Sequence, residues 1–324
     1  MVTTDPIVLS ILSAFSTPKK ISDVVQQFPE LDQEDFENVV EQLLDIGALL
    51  TPATLNGQAP ELWWEVHDYW HMLHTATARG GVGRLTNQKS VSAPPAVRPG
   101  WENASVIELP RQLAELAPAS LDQLLDLRQT VRRYAKRPLA LAELSRLLWS
   151  GMRNTQSPRE NTTLQMEIIR RPYPSGGSTY SLELYIIVPP DGLETVEPGV
   201  YHYCPARHLL ERLESIEQHV SQIRRNALGA AGVERQDGGQ PLIFALTSRV
   251  GRVSYKYEGN AHALIAREVG CVYQTLYLLC ANMDLAPCAL GLSGLGSSEL
   301  AEIGGFDPHL ETVVGYMLVG AKQI

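Results

Sequence analysis

Two short apolar runs set the first limit on what this chain can fold into: Ser181–Val188 (SLELYIIV) and Leu242–Ser248 (LIFALTS) read as strands. A shorter strand is predicted at Gly199–Tyr203 and a last one at Thr312–Val319. Helical periods surround them. Leu121–Arg133 reads as a helix, as does Ala140–Trp149 with Leu141, Leu144, Leu147 and Leu148 apolar, and Leu210–Leu228 is expected to be a third. Ala261–Met283 is apolar nearly all round, interrupted by Arg267, Glu268, Gln274 and Asn282, so burial is predicted, within one subunit or between two. This order of elements predicts an α+β fold, a three-layer sandwich, and no internal repeat is visible. At 324 residues, 44% of them hydrophobic and 19% charged, the chain carries apolar material for two cores, which excludes global disorder.

Charge divides the chain in two. Residues 1–80 hold Lys19, Lys20 and Arg79 against twelve carboxylates, whereas residues 81–324 are neutral with 24 of each sign. Helical spacing in the acidic part runs through Val8, Ile11, Leu12 and Phe15, then Ile21, Val24, Val25 and Phe28, then Phe36, Val39, Val40, Leu43 and Leu44. Asp32 is placed to cap the third helix and Gly47 to end it, with Ala48–Thr54 as a following strand and Asn56-Gly57 as a hairpin turn. Three small helices and a hairpin predict a winged-helix domain. Its third helix carries Asp32, Glu34, Asp35, Glu37, Glu41 and Asp45 and no basic residue, so a phosphate backbone is repelled and nucleic acid is not an expected partner. A peptide groove suits that charge, and a scaffold or dimerisation role is the alternative.

Residues 61–78 (ELWWEVHDYWHMLHTATA) predict an amphipathic helix with Trp63, Val66, Trp70 and Leu73 on one stripe. His67, His71 and His74 are spaced to share a face, but HDYWH is not the HExxH zinc pattern, so packed or surface histidines and no metal site are expected. Gly80–Pro118 is rich in Ala, Ser, Pro and Gly, as in a linker or surface arm. The expected organisation is a winged-helix domain with its trailing helix at 1–85, a linker or arm at 86–118, and a larger domain at 119–324. The longest apolar runs, such as Leu184–Pro190 and Leu276–Ala281, fall far short of the roughly 18 to 20 residues of a membrane helix. No secretory signal pattern opens the sequence, and Cys204, Cys271, Cys280 and Cys288 show no CxxC spacing, which predicts a cytoplasmic protein with reduced thiols.

Four features could carry chemistry. Around Arg128-Gln-Thr130-Val-Arg132-Arg133, alternate side chains offer two guanidinium groups and a hydroxyl to an anion, or form a solvated helix end. In Arg170-Arg-Pro-Tyr-Pro174-Ser175-Gly176-Gly177 the prolines fix a loop and the glycines let backbone N–H groups approach a ligand; GxGxxG is absent, so a Rossmann site is not expected. Lys256-Tyr257 in RVGRVSYKYEG pairs an amine and a phenol suited to acid/base work if partly desolvated. Ala286-Pro-Cys288-Ala-Leu290-Gly291 is expected to be a turn of small residues, with Cys288 a packed thiol rather than a nucleophile.

In this order the four features resemble the SagB/ThcOx-type azoline dehydrogenases, flavin enzymes on the nitroreductase fold. The resemblance extends through WWEVHDYWHMLHTATARGG, RQTVRRY, RRPYPSGGSTYSLELYIIV, PGVYHYCPARHLLERL, SYKYEGNAHALIAREVGCVYQTLYLLCANMDLAPCALGL and VVGYMLVG. It implies a nitroreductase-like three-layer α/β/α sandwich behind the winged-helix domain, a homodimer, and FMN at each subunit interface. Arg128, Thr130 and Arg132 would hold the phosphate and the N1/O2 edge of the flavin. Pro174, Ser175, Gly176, Gly177, Leu290 and Gly291 would line its ring, and Lys256 and Tyr257 match the catalytic pair. The implied substrate is a peptide azoline, presented with a leader peptide, oxidised to an azole, with O2 as the final electron acceptor. Two positions depart from the family pattern: His262 stands where an aromatic is usual, and Cys271 where a His is often found. The chain's tail also lacks the usual basic pair, which makes Arg249, Arg252 and Lys322 further candidates for the phosphate. Two other functions remain open: NAD(P)H-driven nitro or quinone reduction on the same fold, and a non-catalytic leader-binding scaffold.

Overall fold

A computed structural model describes residues 6–15, 19–45 and 49, and then 92–111, 119–233, 239–257, 259–291, 294 and 296–323. The predicted hairpin turn at Asn56-Gly57, the helix at 61–78 with its three histidines, and most of the strand at Ala48–Thr54 lie outside these residues. The chain divides into two compact units, Met1–Arg79 and Gly80–Ile324.

The first unit contains α1 (Pro6–Ala14), α2 (Ile21–Val24) and α3 (Gln33–Asp45). Asp32 caps α3, its Oδ1 accepting the Asp35 N–H at 2.8 Å, which satisfies one of the amides that a helix start leaves unpaired. Ile11, Val24, Phe28, Phe36, Val40 and Leu43 form a small buried core. All six acidic residues from Asp32 to Asp45 are exposed.

The second unit is a seven-stranded antiparallel sheet between two helical layers. Its strands are β1 (Val106–Glu108), β4 (Leu182–Val188), β5 (Gly199–Cys204), β6 (Leu209–Leu213), β7 (Leu242–Arg249), β8 (Leu285–Leu290) and β9 (Glu311–Ala321), in the order β1-β6-β5-β4-β7-β9-β8. A separate hairpin joins β2 (Gln156–Asn161) and β3 (Met166–Arg170). The helices are α4 (Leu121–Leu127), α5 (Leu141–Met152), α6 (Glu217–Ala231), α7 (Val250–Ser254), α8 (Ala261–Asn282) and α9 (Ser297–Gly304). Because successive side chains of a strand face opposite ways, Leu184, Ile186, Phe244 and Leu246 pack under α5 and α8, while Tyr185, Ile187, Ile243 and Ala245 pack under α6 and α9. Helices on both faces explain why β4 and β7 are buried throughout.

Several expectations are corrected. Leu210–Leu213 is strand rather than helix: β6 folds back on β5 with Tyr203 opposite Leu210, and the helix starts only at Glu217. The helix predicted to reach Arg133 stops at Leu127, since Val131 N–H donates to Pro287 O at 2.8 Å and Ala135 N–H to Ala321 O at 2.9 Å, bonds that hold 128–135 along the sheet edge. Residues 286–290 belong to edge strand β8, where Pro287 is tolerated because its nitrogen faces away from β9. Helix α8 buries one stripe, Ile265, Glu268, Val269, Val272, Leu276 and Cys280 among it, and leaves Ala266, Arg267, Gly270 and Gln274 exposed.

Residues 92–111 lie along this body. Ala96 N–H donates to Glu167 at 2.8 Å, Trp101 Nε1–H to Gly304 O at 2.8 Å, Arg98 pairs with Glu311, and Val106–Glu108 completes the sheet beside β6. Trp101 thereby covers a buried network in which His202 bridges Glu183 (3.1 Å) and Glu211 (3.0 Å). No helix among the described residues is long and apolar enough to cross a membrane.

Candidate active site

The loop after β3 is built to expose backbone. Ser175 Oγ accepts the Tyr180 N–H at 2.9 Å and Thr179 Oγ1–H donates to Gly176 O at 3.0 Å, closing a single tight turn over Gly176–Ser178. Gly177 has φ 63°, a left-handed conformation that side chains resist. Space also requires glycine, for a Cβ there would run into the Tyr257 hydroxyl and lie 2.5 Å from Lys256 Nζ.

Lys256 and Tyr257 leave α7 with both amides bonded to Val253 O, at 3.0 and 2.8 Å. Lys256 Nζ donates to Gly177 O at 3.0 Å and stands 5.5 Å from the centre of the Tyr257 ring. Partial burial pushes the lysine pKa down and the tyrosine pKa up. An amine more easily neutral and a phenol more firmly protonated thus share one loop.

A second group forms at the edge of β8. Tyr277 Oη accepts the Ala289 N–H at 2.9 Å and is hydrogen-bonded to Thr130 Oγ1 at 2.9 Å, with the Arg128 guanidinium 5.5 Å over its ring. Arg132 lies beside the Cys288 thiol, whose pKa is raised by burial against the pull of that guanidinium. Neither Arg128 nor Arg132 closes an ion pair with a carboxylate among the described residues. Beyond Ala289, the Leu290 side chain is buried, while at Gly291, its chain neighbours aside, no atom of the described residues lies within 4 Å of where a Cβ would stand.

The predicted residues therefore fall into two sets. Leu264 on α8 packs against Gly176, and Tyr277 meets Thr130 from the same helix; those thirteen residues at about 1.5 Å each separate the sets by about 20 Å. Pro174 is exposed, and Ser175 points its hydroxyl into its own loop. Arg249 and Arg252 are not available to a phosphate. Arg249 is buried on Glu183 (3.3 Å) and Pro95 O (2.8 Å), and Arg252 donates to three backbone carbonyls; Lys322 is paired with Asp284 at 2.8 Å. Sequence reading missed Tyr277, because an aromatic in an apolar helix signals only packing. Among the described residues no group of His, Cys, Asp or Glu could hold a metal ion.

Sheet order, helical layers and the exposed glycine loop describe an α+β sandwich of the nitroreductase kind. The sequence matches the nitroreductase family over residues 125–321, and the chain belongs to that family of oxidoreductases, whose members typically bind FMN. Within it the chain is similar to the SagB/McbC-type proteins. The nitroreductase-like protein MJ1384 of Methanocaldococcus jannaschii is 28% identical over 193 residues, 59% of this chain and 87% of that one. The trifolitoxin-processing protein TfxB of Rhizobium leguminosarum bv. trifolii is 22% identical over 336 residues, 95% of this chain and 86% of that one. The microcin B17-processing protein McbC of Escherichia coli is 31% identical over 122 residues, 36% of this chain and 42% of that one. A crystal structure of a nitroreductase-family protein from Ralstonia eutropha JMP134 shares the fold, with a TM-score of 0.51 and 22% identity over 72% of this chain and all of that one.

Proposed function

We propose that this protein is an FMN-dependent dehydrogenase that oxidises azolines in a peptide to azoles. The observation that carries the reading is the Lys256–Tyr257 pair held against the Gly177 turn, supported by kinship with two toxin-processing proteins. The residues fit the cofactor: two guanidinium groups without carboxylate partners among the described residues suit a phosphate, and Gly291, with no side chain of its own, leaves open space beside β8. Bound FMN supplies a two-electron acceptor for the hydride released as the azoline aromatises, and O2 takes those electrons in turn.

The chain's own groups do the rest. Lys256, its amine more easily neutral than an exposed lysine's, takes the ring proton, and Tyr257 orients or relays it. Arg128, Thr130 and Arg132 hold the anionic part of the cofactor, and Pro174–Gly177, Leu290 and Gly291 border its ring. Since about 20 Å of α8 separates these sets in one chain, a homodimer is proposed in which one copy's Lys256 set faces its partner's Arg128 set. The acidic helical unit at the N-terminus is assigned as a winged-helix domain that holds a leader peptide, raising the local concentration of the core peptide.

The test is mass spectrometry of a synthetic thiazoline peptide incubated in air with FMN-loaded protein. A loss of about two mass units is expected, the hydride and proton of the half-reaction. An unchanged peptide, with the protein bleached instead by NAD(P)H alone, would identify a nitro- or quinone-reducing enzyme. Gly177→Ala is expected to cut turnover about 100-fold, because the colliding atoms are flexible side-chain ends that move aside and lose their alignment. Its far-ultraviolet circular dichroism should remain that of the wild type, and wild-type turnover would refute the role given to the turn.

A further inference from the structure

Glu268 sits on the buried stripe of α8, directly behind the Pro174–Gly177 loop. Only 3% of it is exposed. Its Oε2 accepts the Ser181 hydroxyl at 3.3 Å, and Oε1 is buried with no hydrogen-bond partner among the described residues. A half-paired carboxyl on an apolar stripe weakens the fold relative to an aliphatic side chain of similar size, so packing does not account for it.

The surrounding charges do not neutralise it. Arg171, at the end of β3, is the cation facing it, but closes no ion pair with it and donates instead to the Tyr173 hydroxyl (3.0 Å) and Leu182 O (2.6 Å). Tyr173 faces it from the same loop. Glu183 on β4 and Arg252 on α7 act on Arg171, and Arg249 on β7 is paired with Glu183.

From Glu268 a continuous set of contacts leads outward. Ser181, held by the carboxyl, directly follows Tyr180, whose N–H anchors the turn on Ser175 Oγ; the turn carries Gly177, and Gly177 O holds Lys256 Nζ. We propose that Glu268 is a positioning residue that sets the seat of the Gly176–Ser178 turn, and with it the placement of Lys256 and of the flavin ring, according to its own charge. This rests on the assignment of Lys256 and of FMN above. Burial raises the Glu268 pKa to about 7, outweighing the pull of Arg171. Raising the pH through that value ionises the carboxyl and strengthens its grip on Ser181, because hydrogen bonds to a charged group are about twice as strong as neutral ones.

The measurement is FMN affinity between pH 6 and 8, followed by quenching of flavin fluorescence in the full-length protein. Wild type is expected to show a change of about fivefold centred near pH 7, the scale set by charged against neutral hydrogen bonds. Glu268→Gln, which keeps the shape and cannot ionise, should give a flat profile, and Ser181→Ala, which keeps the carboxyl and removes the hydroxyl that links it to the turn, should flatten it as well. A purely structural glutamate would shift the affinity of Glu268→Gln equally at every pH and leave the step in place, which overturns the proposal. A flat wild-type profile overturns it too. Absence of FMN binding at any pH would instead refute the cofactor assignment on which it rests.

Discussion

Exchanging Lys256 for Ala is expected to slow the proposed azoline oxidation by about 10²- to 10⁴-fold, the range for losing a positioned general base, the role proposed for it. The protein should stay yellow. Lys256 contacts the loop through a single bond to Gly177 O, so its removal leaves the turn, which is closed by Ser175 and Thr179, intact. The pH profile gives the sharper signature. Because burial lowers the lysine pKa from 10.5, the neutral amine accumulates earlier as pH rises, and the wild-type rate should climb to a plateau with a midpoint below 10.5. Tyr257, raised above 10.0 by the same burial, keeps its proton to higher pH than an exposed tyrosine. Lys256→Ala should abolish this limb, and a variant that kept both rate and limb would remove Lys256 from the chemistry.

Arg252→Met is expected to cost about 3 kcal/mol in stability, since three carbonyls, one buried and two partly buried, would each lose a donor worth about 1 kcal/mol. The guanidinium has no exposed surface and makes its bonds to Thr179 O (2.6 Å), Pro94 O (2.7 Å) and Glu167 O (2.9 Å). One planar group thus ties the glycine loop, the arm and the β2–β3 hairpin together. Arg252→Lys should not rescue it, because a single ammonium cannot present the planar fork in three directions. Urea denaturation monitored by tryptophan fluorescence would show the loss, and a midpoint matching wild type would exclude the clasp.

Much of the fold was legible because it depends on local periodicity. β4 and β7 read as strands, and α8 as a helix from Ala261 to its end, since their patterns persist over many residues. β6 was not legible: LLERL fits a helix as well as a strand, and its pairing with β5 and β1 decides the matter. The same holds for 128–135 and β8, which take extended form from each other and from β9 rather than from their own composition. Of the candidate site, the structure brings together Gly177, Lys256 and Tyr257, which stood out in the sequence by residue type and order. That Arg249 and Arg252 are occupied by Glu183 and by backbone carbonyls, and that Tyr277 anchors Thr130, depends on long-range packing that no short stretch of sequence encodes.

The arm also bears on where the protein can be divided. The family match begins at residue 125, yet a polypeptide trimmed to that point would strip Arg98 from Glu311, Pro94 from Arg252 and Trp101 from the Glu183–His202–Glu211 network, and would leave β6 as a bare sheet margin. Uncompensated charges would then face water that is excluded in the intact protein. Residues 92–111 are a wall of the oxidoreductase body, and the smallest autonomous piece has to start upstream of them.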